Sequence, residues 1–150
     1  MSKRANNNVL SLILAGIALL FLIQTIPYGN RPANPPVVNE PRWDSPATRA
    51  LAERACFDCH SHETKMPRYG RFAPLSWLIQ YDVDKGRSEL NFSDWRNGTR
   101  EAERADKIRE EILEGGMPPL PYRIAHPEAR LQEAEKQQLI NGLSATATRR

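Results

Sequence analysis

Cysteine is nearly absent from this chain, whose 150 residues include two, Cys56 and Cys59. So few cysteines exclude the class of small secreted domains that several disulfides hold together. Neither sign of charge dominates, because Lys3 and Arg4 precede the first apolar run and the basic and acidic residues after them are almost equal in number. A nucleic-acid-binding protein would carry a clustered basic face, so we expect no nucleic-acid partner. Internal repeats and convincing strand patterns are also missing, which indicates one modest helical domain with added segments.

Both cysteines belong to one motif, Cys56-Phe57-Asp58-Cys59-His60. Side chains at positions i, i+3 and i+4 share one face of a helical turn, so Cys56, Cys59 and His60 should face the same object. Two thiols can add to the two vinyl groups of a haem, and the adjacent imidazole can then bind the iron. The pattern C-x-x-C-H is typical of covalent c-type haem attachment. We therefore predict one haem c as the cofactor.

Other interpretations of this motif stay open at the level of sequence. The two cysteines could form a surface disulfide or fill space as small apolar residues. A thioredoxin-like dithiol would follow a strand of a βαβ unit, which the sequence does not indicate. A structural zinc ion would need four ligands, and His62 and His126 are the remaining histidines that could contribute.

An uncharged apolar run, VLSLILAGIALLFLIQTI, extends from Val9 to Ile26. About 20 apolar residues span a bilayer, with a range of roughly 17–25, so the run predicts a transmembrane helix at 9–26. Lys3 and Arg4 predict that residues 1–8 lie in the cytoplasm and that the residues after Ile26 lie in the periplasm of a bacterium, with the helix in the inner membrane. A cleaved signal peptide is the alternative, but it would have a shorter apolar region and a small-residue cleavage site.

The residues after this run divide into a spacer, a domain and a tail. Prolines recur through residues 27–42 and predict an extended linker. Residues 43–143 form the predicted domain, and residues 144–150 a flexible tail. Four helices are expected: Ala47–Ala55 after a Ser45 cap and Pro46, Leu75–Leu90, Thr99–Glu114 with a Glu103–Lys107 pair, and one from Pro127 or Gln132 to Leu143.

A second protein ligand to the iron would make the haem an electron-transfer centre. The candidates are Met66, Met117, His62 and His126. His62 is only two residues from His60 and should lie on the same side of the haem ring, which argues against it. Met66 is six residues from His60, at most about 20 Å of fully extended chain, so reaching the other side of the porphyrin would leave no residues for a turn or a helix. Met117 lies between Gly115-Gly116 and Pro118-Pro119, in a loop that can present its sulfur from the opposite face. We predict Met117, with His126 as the second choice.

The chain resembles a bacterial haem-binding domain family of small membrane-anchored, cytochrome c-like proteins in two stretches, WDSPATRALAERACFDCHSHETKMPRYGRFAPLSWLIQYDVDKGRSELNFSDW and GGMPPLPYRIAHPEARLQEAEK. The resemblance covers roughly residues 43–143. It implies an all-α cytochrome c-like fold, with covalent haem on Cys56 and Cys59 and iron on His60 and Met117. The sequence departs from the family at Met66 and Arg68, where relatives often carry tryptophan, and at Gln132, where a Ser or Thr cap is usual.

Further roles follow from what a haem requires of its surroundings. Phe72, Leu75, Trp77, Leu78 and Tyr81 could form walls of the pocket, and Arg87 could pair with a propionate. By analogy with cytochromes c, a carbonyl in the Phe72–Pro74 stretch is expected to accept a hydrogen bond from His60.

The expected function is a membrane-tethered one-electron carrier that meets an unknown redox partner protein. A haem-based sensor or ligand-binding module is the alternative and would need an open or displaceable iron position. We do not expect an enzyme, because a peroxidase would need distal acid–base groups that the sequence does not place suitably.

Overall fold

The computed structural model describes residues 2–29, 33–95 and 99–149, without the side chains of residues 2–6 and 99–104. Seven α-helices are defined there: α1 Ser2–Ile23, α2 Pro46–Ala55, α3 Phe57–His60, α4 Leu75–Glu89, α5 Thr99–Glu114, α6 Leu120–Ala125 and α7 Glu133–Thr148. Short 3₁₀ turns cover Arg68–Arg71 and Pro127–Ala129. The described residues contain no β-strand, and one isolated bridge pairs Asn39 with Asp94. The predicted all-α class is therefore confirmed.

The chain divides into two compact units. The first unit contains Met1–Pro32 and Met66–Asp82, and the second contains Ala33–Lys65 and Val83–Arg150.

Helix α1 of the first unit exposes large apolar side chains from Val9 to Leu22, with Leu12 and Phe21 each 73% accessible. It ends at Ile23, where the Gln24 amide exchanges two hydrogen bonds with the backbone of Ala73, at 3.1 and 2.9 Å. The segment predicted as a transmembrane helix at 9–26 is therefore helical only as far as Ile23, and its helix begins earlier, at Ser2. Across residues 2–29, 33–95 and 99–149, no helix has both the length and the apolar character to cross a membrane.

The core of the second unit is built by α2, α5 and α7 around a cluster of aromatic rings. Trp43, Phe57, Phe92 and Trp95 lie in sequence-distant segments, and their ring centroids are 5.3–6.1 Å apart. Ser45 caps α2 by accepting a hydrogen bond from the Thr48 amide, with Pro46 in the first helical position, as predicted. The predicted bounds of α5 are also confirmed, whereas the Glu103–Lys107 pair lies outside the described residues.

The predicted tail at 144–150 is wrong through Thr148, because α7 continues to that residue. Thr146 is 1% exposed, and its hydroxyl accepts a hydrogen bond from the Asp44 amide at 3.0 Å. This contact crosses 102 positions of sequence and stabilises a turn of helix that local composition does not favour. Arg150 lies outside the described residues.

The predicted free linker at 27–42 is also corrected. The amides of Val38 and Asn39 donate to the Ser93 carbonyl at 2.8 and 3.1 Å, and the Trp95 amide donates to the Asn39 carbonyl at 2.8 Å. These bonds tie the end of the proline-rich segment to the core of the second unit, while residues 30–32 lie outside the described part of the chain.

Candidate functional site

The motif of residues 56–60 folds into one helical turn, α3. The amides of Cys59 and His60 both donate to the Cys56 carbonyl, at 3.2 and 2.9 Å, which places the side chains of Cys56, Cys59 and His60 on one face of the turn. Phe57 is 3% exposed and anchors the turn in the aromatic cluster. Cys56 and Cys59 are not joined in a disulfide, so the disulfide interpretation is not supported.

The zinc interpretation receives no support from the described residues. No group of three or more His, Cys, Asp or Glu side chains among them could hold a metal ion. His62 lies instead between two polar groups, with Nδ1 3.0 Å from the Pro36 carbonyl and Nε2 2.9 Å from the Asn91 amide nitrogen. Its ring therefore ties the proline-rich segment to the loop after α4.

His60 is oriented by the end of α4. Its Nδ1 lies 3.1 Å from the carbonyl oxygen of Leu90, the residue after the helix, whose carbonyl has no partner within the helix. A proton on Nδ1, donated to this carbonyl, makes Nε2 the atom that can give a lone pair to iron. Burial lowers the pKa of His60, which favours the neutral ring that such ligation needs. The predicted partner in the Phe72–Pro74 stretch is wrong.

Gly86 allows α4 to lie directly against the motif. A Cβ atom on Gly86 would be 2.5 Å from the carbonyl oxygen of Cys59, a backbone atom that cannot rotate away. Sequence reasoning missed this residue, although a glycine inside a helix costs about 1 kcal/mol relative to alanine and so points to a packing or functional reason.

Cys56 packs against the core of the second unit. Burial, with a smaller effect from Cys59, raises the pKa of the Cys56 thiol to about 12. The thiol is therefore protonated at neutral pH.

Met117 follows Gly115, whose φ of +78° allows the chain to turn out of α5. The Met117 amide donates to the Glu111 carbonyl at 3.0 Å, and the residue is 39% exposed. Its side chain lines a cleft of about 220 Å³ whose other walls include Ile112, Leu131 and Arg123. Met117 therefore lies partly exposed in the second unit, the unit that also contains the C-x-x-C-H turn.

Tyr122 links the Met117 segment to the motif and was missed by sequence reasoning. Its hydroxyl donates to Asp58 Oδ2 at 2.8 Å. Burial and the Asp58 carboxylate together raise the pKa of Tyr122 well above its usual value, so the phenol remains a donor. The sequence signal was present as a tyrosine five residues after Met117, but its partner is 64 positions away.

The remaining candidates have other surroundings. His126 follows α6, stacks on Tyr122 with centroids 4.3 Å apart, and places Nδ1 3.2 Å from Glu128 Oε1. Met66 belongs to the first unit, where it packs near Gly70. The predicted pocket walls Phe72, Leu75, Leu78 and Tyr81 are exposed in that unit, and their role stays a prediction.

Arg87, a predicted propionate partner, is engaged by protein groups instead. It donates to the carbonyls of Ser61 and Ala33, at 2.7 and 2.6 Å, and to the side chains of Asn34 and Thr64, at 3.0 and 3.1 Å. The guanidinium therefore fastens the loop after the motif to the proline-rich segment.

Comparison with known proteins adds one match. A family model described as a haem-binding domain matches residues 18–145. The match includes the C-x-x-C-H turn and the Met117 loop. No curated protein and no solved structure matches the chain.

Proposed function

This chain belongs to the haem-binding domain family and is a haem-binding protein, and we propose that it carries a covalent haem c and transfers single electrons. The observation that carries the proposal is the motif of residues 56–60, where two thiols that form no disulfide and an imidazole oriented by the Leu90 carbonyl occur within five residues. This donor set fits a haem with two vinyl groups and an iron that needs an axial nitrogen.

Attachment needs only the two thiols and the haem vinyl groups. At each cysteine the S–H bond and the vinyl π bond break, while a C–S and a C–H bond form. The addition releases no group and consumes no oxidant.

The electron-carrier role follows from two axial ligands. Bound haem supplies an iron that cycles between ferric and ferrous states, and His60 and Met117 would hold it in six-coordination in both. With both positions filled by protein, the iron has no site for a substrate, so we propose no catalytic step. The partner would be another redox protein that approaches the second unit.

The spectrum and electrochemistry of the purified holoprotein test this role. We expect a low-spin six-coordinate iron in both oxidation states and a reversible one-electron wave in voltammetry. A high-spin five-coordinate ferrous spectrum that changes on adding carbon monoxide at once would contradict the carrier role. That outcome would favour the sensor alternative, for which the 39% exposure of Met117 offers a displaceable ligand.

We further propose that α1 attaches the protein to the bacterial inner membrane, with the C-x-x-C-H turn on the periplasmic side. The proposal is supported by the large apolar side chains exposed along this helix from Val9 to Leu22. Exposed apolar surface of this extent is typical of a membrane or protein contact.

Replacing Leu12 and Phe21 together by lysine should release the protein from membranes, because each apolar-to-charged change opposes insertion by roughly 3 kcal/mol. The measurement is the fraction of full-length chain that stays in the membrane pellet after a carbonate wash. Leu113→Lys is the matched control, since Leu113 is 52% exposed on α5 and should stay in the pellet as the unmodified protein does. Wild-type protein found wholly in the supernatant would contradict the attachment.

A further inference from the structure

A hydrogen bond joins the two segments that carry the predicted iron ligands. Asp58 lies between the haem-binding cysteines, and its Oδ2 accepts from the Tyr122 hydroxyl at 2.8 Å. We infer that Tyr122 and Asp58 form a positioning pair that holds the Met117 loop, residues 115–121, against the C-x-x-C-H turn. The inference rests on the proposed function in that it assigns these residues a role in keeping Met117 at the iron.

Asp58 is fixed on the side of the motif. Its second carboxylate oxygen, Oδ1, accepts from the Lys65 amide at 2.9 Å, and its carbonyl accepts from the Thr64 hydroxyl at 2.7 Å. The carboxylate is therefore held through Oδ1 and the backbone through its carbonyl, so Oδ2 meets Tyr122 from a defined position. A side chain held in this way loses little conformational entropy when it binds the phenol.

Tyr122 is fixed on the side of the loop. Its ring stacks on His126 at an interplanar angle of 19°, and its carbonyl accepts from the His126 amide at 2.8 Å. Between Met117 and Tyr122 the chain contains three prolines, Pro118, Pro119 and Pro121, each with a restricted φ. Fixing Tyr122 therefore limits the positions that Met117 can reach, even though the two residues are five positions apart.

The two ends of the loop are then held by different contacts. The Met117 amide is bound to the Glu111 carbonyl, which belongs to α5, and Tyr122 is bound to Asp58, which belongs to α3. The first contact fixes the loop to the helix from which it emerges. The second is the contact that fixes it to the motif, and a hydrogen bond to a carboxylate is about twice as strong as one between neutral groups.

Tyr122→Phe tests the pair in the holoprotein. The variant keeps the ring that stacks on His126 and removes the donor alone. Imidazole can bind the ferric iron only after Met117 has left it, so its binding rate reports how often the loop opens. We expect this rate to rise at least about tenfold, the factor expected when one hydrogen bond to a charged acceptor is lost. The sulfur–iron absorption band should weaken in parallel.

A double-mutant cycle with Asp58→Ala shows whether the two residues act through each other. We expect Asp58→Ala to speed imidazole binding as Tyr122→Phe does, and the double variant to add no further factor. Two effects that multiply would overturn the pair. An unchanged binding rate in Tyr122→Phe, with covalent haem and the sulfur–iron band present, would overturn it as well.

Hydrogen exchange of the Met117 amide separates this inference from the assignment of Met117 as a ligand. We expect faster exchange of that amide in Tyr122→Phe than in wild type, while amides in the buried part of α7 keep their rates. If the wild-type protein lacks the sulfur–iron band, the ligand assignment fails, and exchange still decides the inference. Unchanged exchange in the variant would then show that Tyr122 does not hold the loop.

Discussion

Replacing Cys56 and Cys59 together by serine should abolish covalent haem in this protein. Serine keeps the size and the helical turn, but its hydroxyl does not add to a vinyl group as a thiol does. Mass spectrometry of protein matured in a haem-attaching host should show the wild-type chain with one haem added and the double variant without it. Acid–acetone extraction should remove all haem from the double variant and none from wild type.

The single variants provide the internal control. Cys56→Ser and Cys59→Ser should each keep one thioether, so haem should resist extraction while the pyridine haemochrome band shifts to the position of a haem with one remaining vinyl group. Haem that stays with the double variant through extraction would contradict covalent attachment by these residues. Haem released from wild type by extraction would contradict it equally, and would leave a haem-binding protein without thioethers.

Local signals predicted much of the second unit. The start of α2 follows from a Ser-Pro pair whose effect needs no distant contact, and the structure has the hydrogen bond from the Thr48 amide to Ser45. Helix α5 was predicted with its observed bounds, Thr99–Glu114, because a glycine pair follows it directly. The motif also predicted a helical turn, because the spacing of Cys56, Cys59 and His60 brings the three side chains to one face only in a helix. The structure has this turn as α3.

Contacts between distant segments account for the errors. The partner of His60 is Leu90, 30 positions away, because the end of α4 and the close approach at Gly86 decide which carbonyl reaches the ring. The last turn of α7 is stabilised by the hydrogen bond from the Asp44 amide to Thr146. The proline-rich segment is held by the hydrogen bonds that its amides donate to the Ser93 carbonyl. Each of these bonds satisfies a polar group that composition alone assigned to solvent.

Tyr122 illustrates why the site was incompletely predicted. A tyrosine among prolines indicates a turn with an aromatic side chain, and nothing local distinguishes a solvent-facing ring from one bonded to the haem motif. The pairing with Asp58 becomes visible only when α3 and α6 are placed together within the second unit.

Met117→Ala should lower the reduction potential of the haem by on the order of 100 mV, because thioether ligation favours the ferrous state and axial ligands are the strongest control of potential. The weak near-infrared sulfur–iron band of the oxidised protein should disappear with it. Voltammetry and absorption of the covalent holoprotein measure both effects. The substitution should cost little stability, since the Met117 side chain is 39% exposed and fills little of the core.

Met66→Ala is the matched control, because we expect it to reduce stability and to leave the haem properties unchanged, the reverse of what we expect for Met117→Ala. Met66 is partly buried in the first unit, and its sulfur would lie 2.6 Å from a Cβ placed on Gly70, so the side chain fills space between close neighbours. Its truncation should lower the free energy of unfolding by about 1–2 kcal/mol and leave the band and the potential nearly intact. Loss of the band in the Met66 variant, with the band kept in the Met117 variant, would show that the assignment of the ligand is wrong.

If both variants keep the band, sulfur ligation by a single methionine at either position fails. His126→Ala is then the decisive change, and it should convert the iron to a five-coordinate or water-bound form if imidazole is the second ligand. The stack of His126 on Tyr122 makes that outcome structurally costly, because the ring would have to leave the residue that ties this segment to the motif.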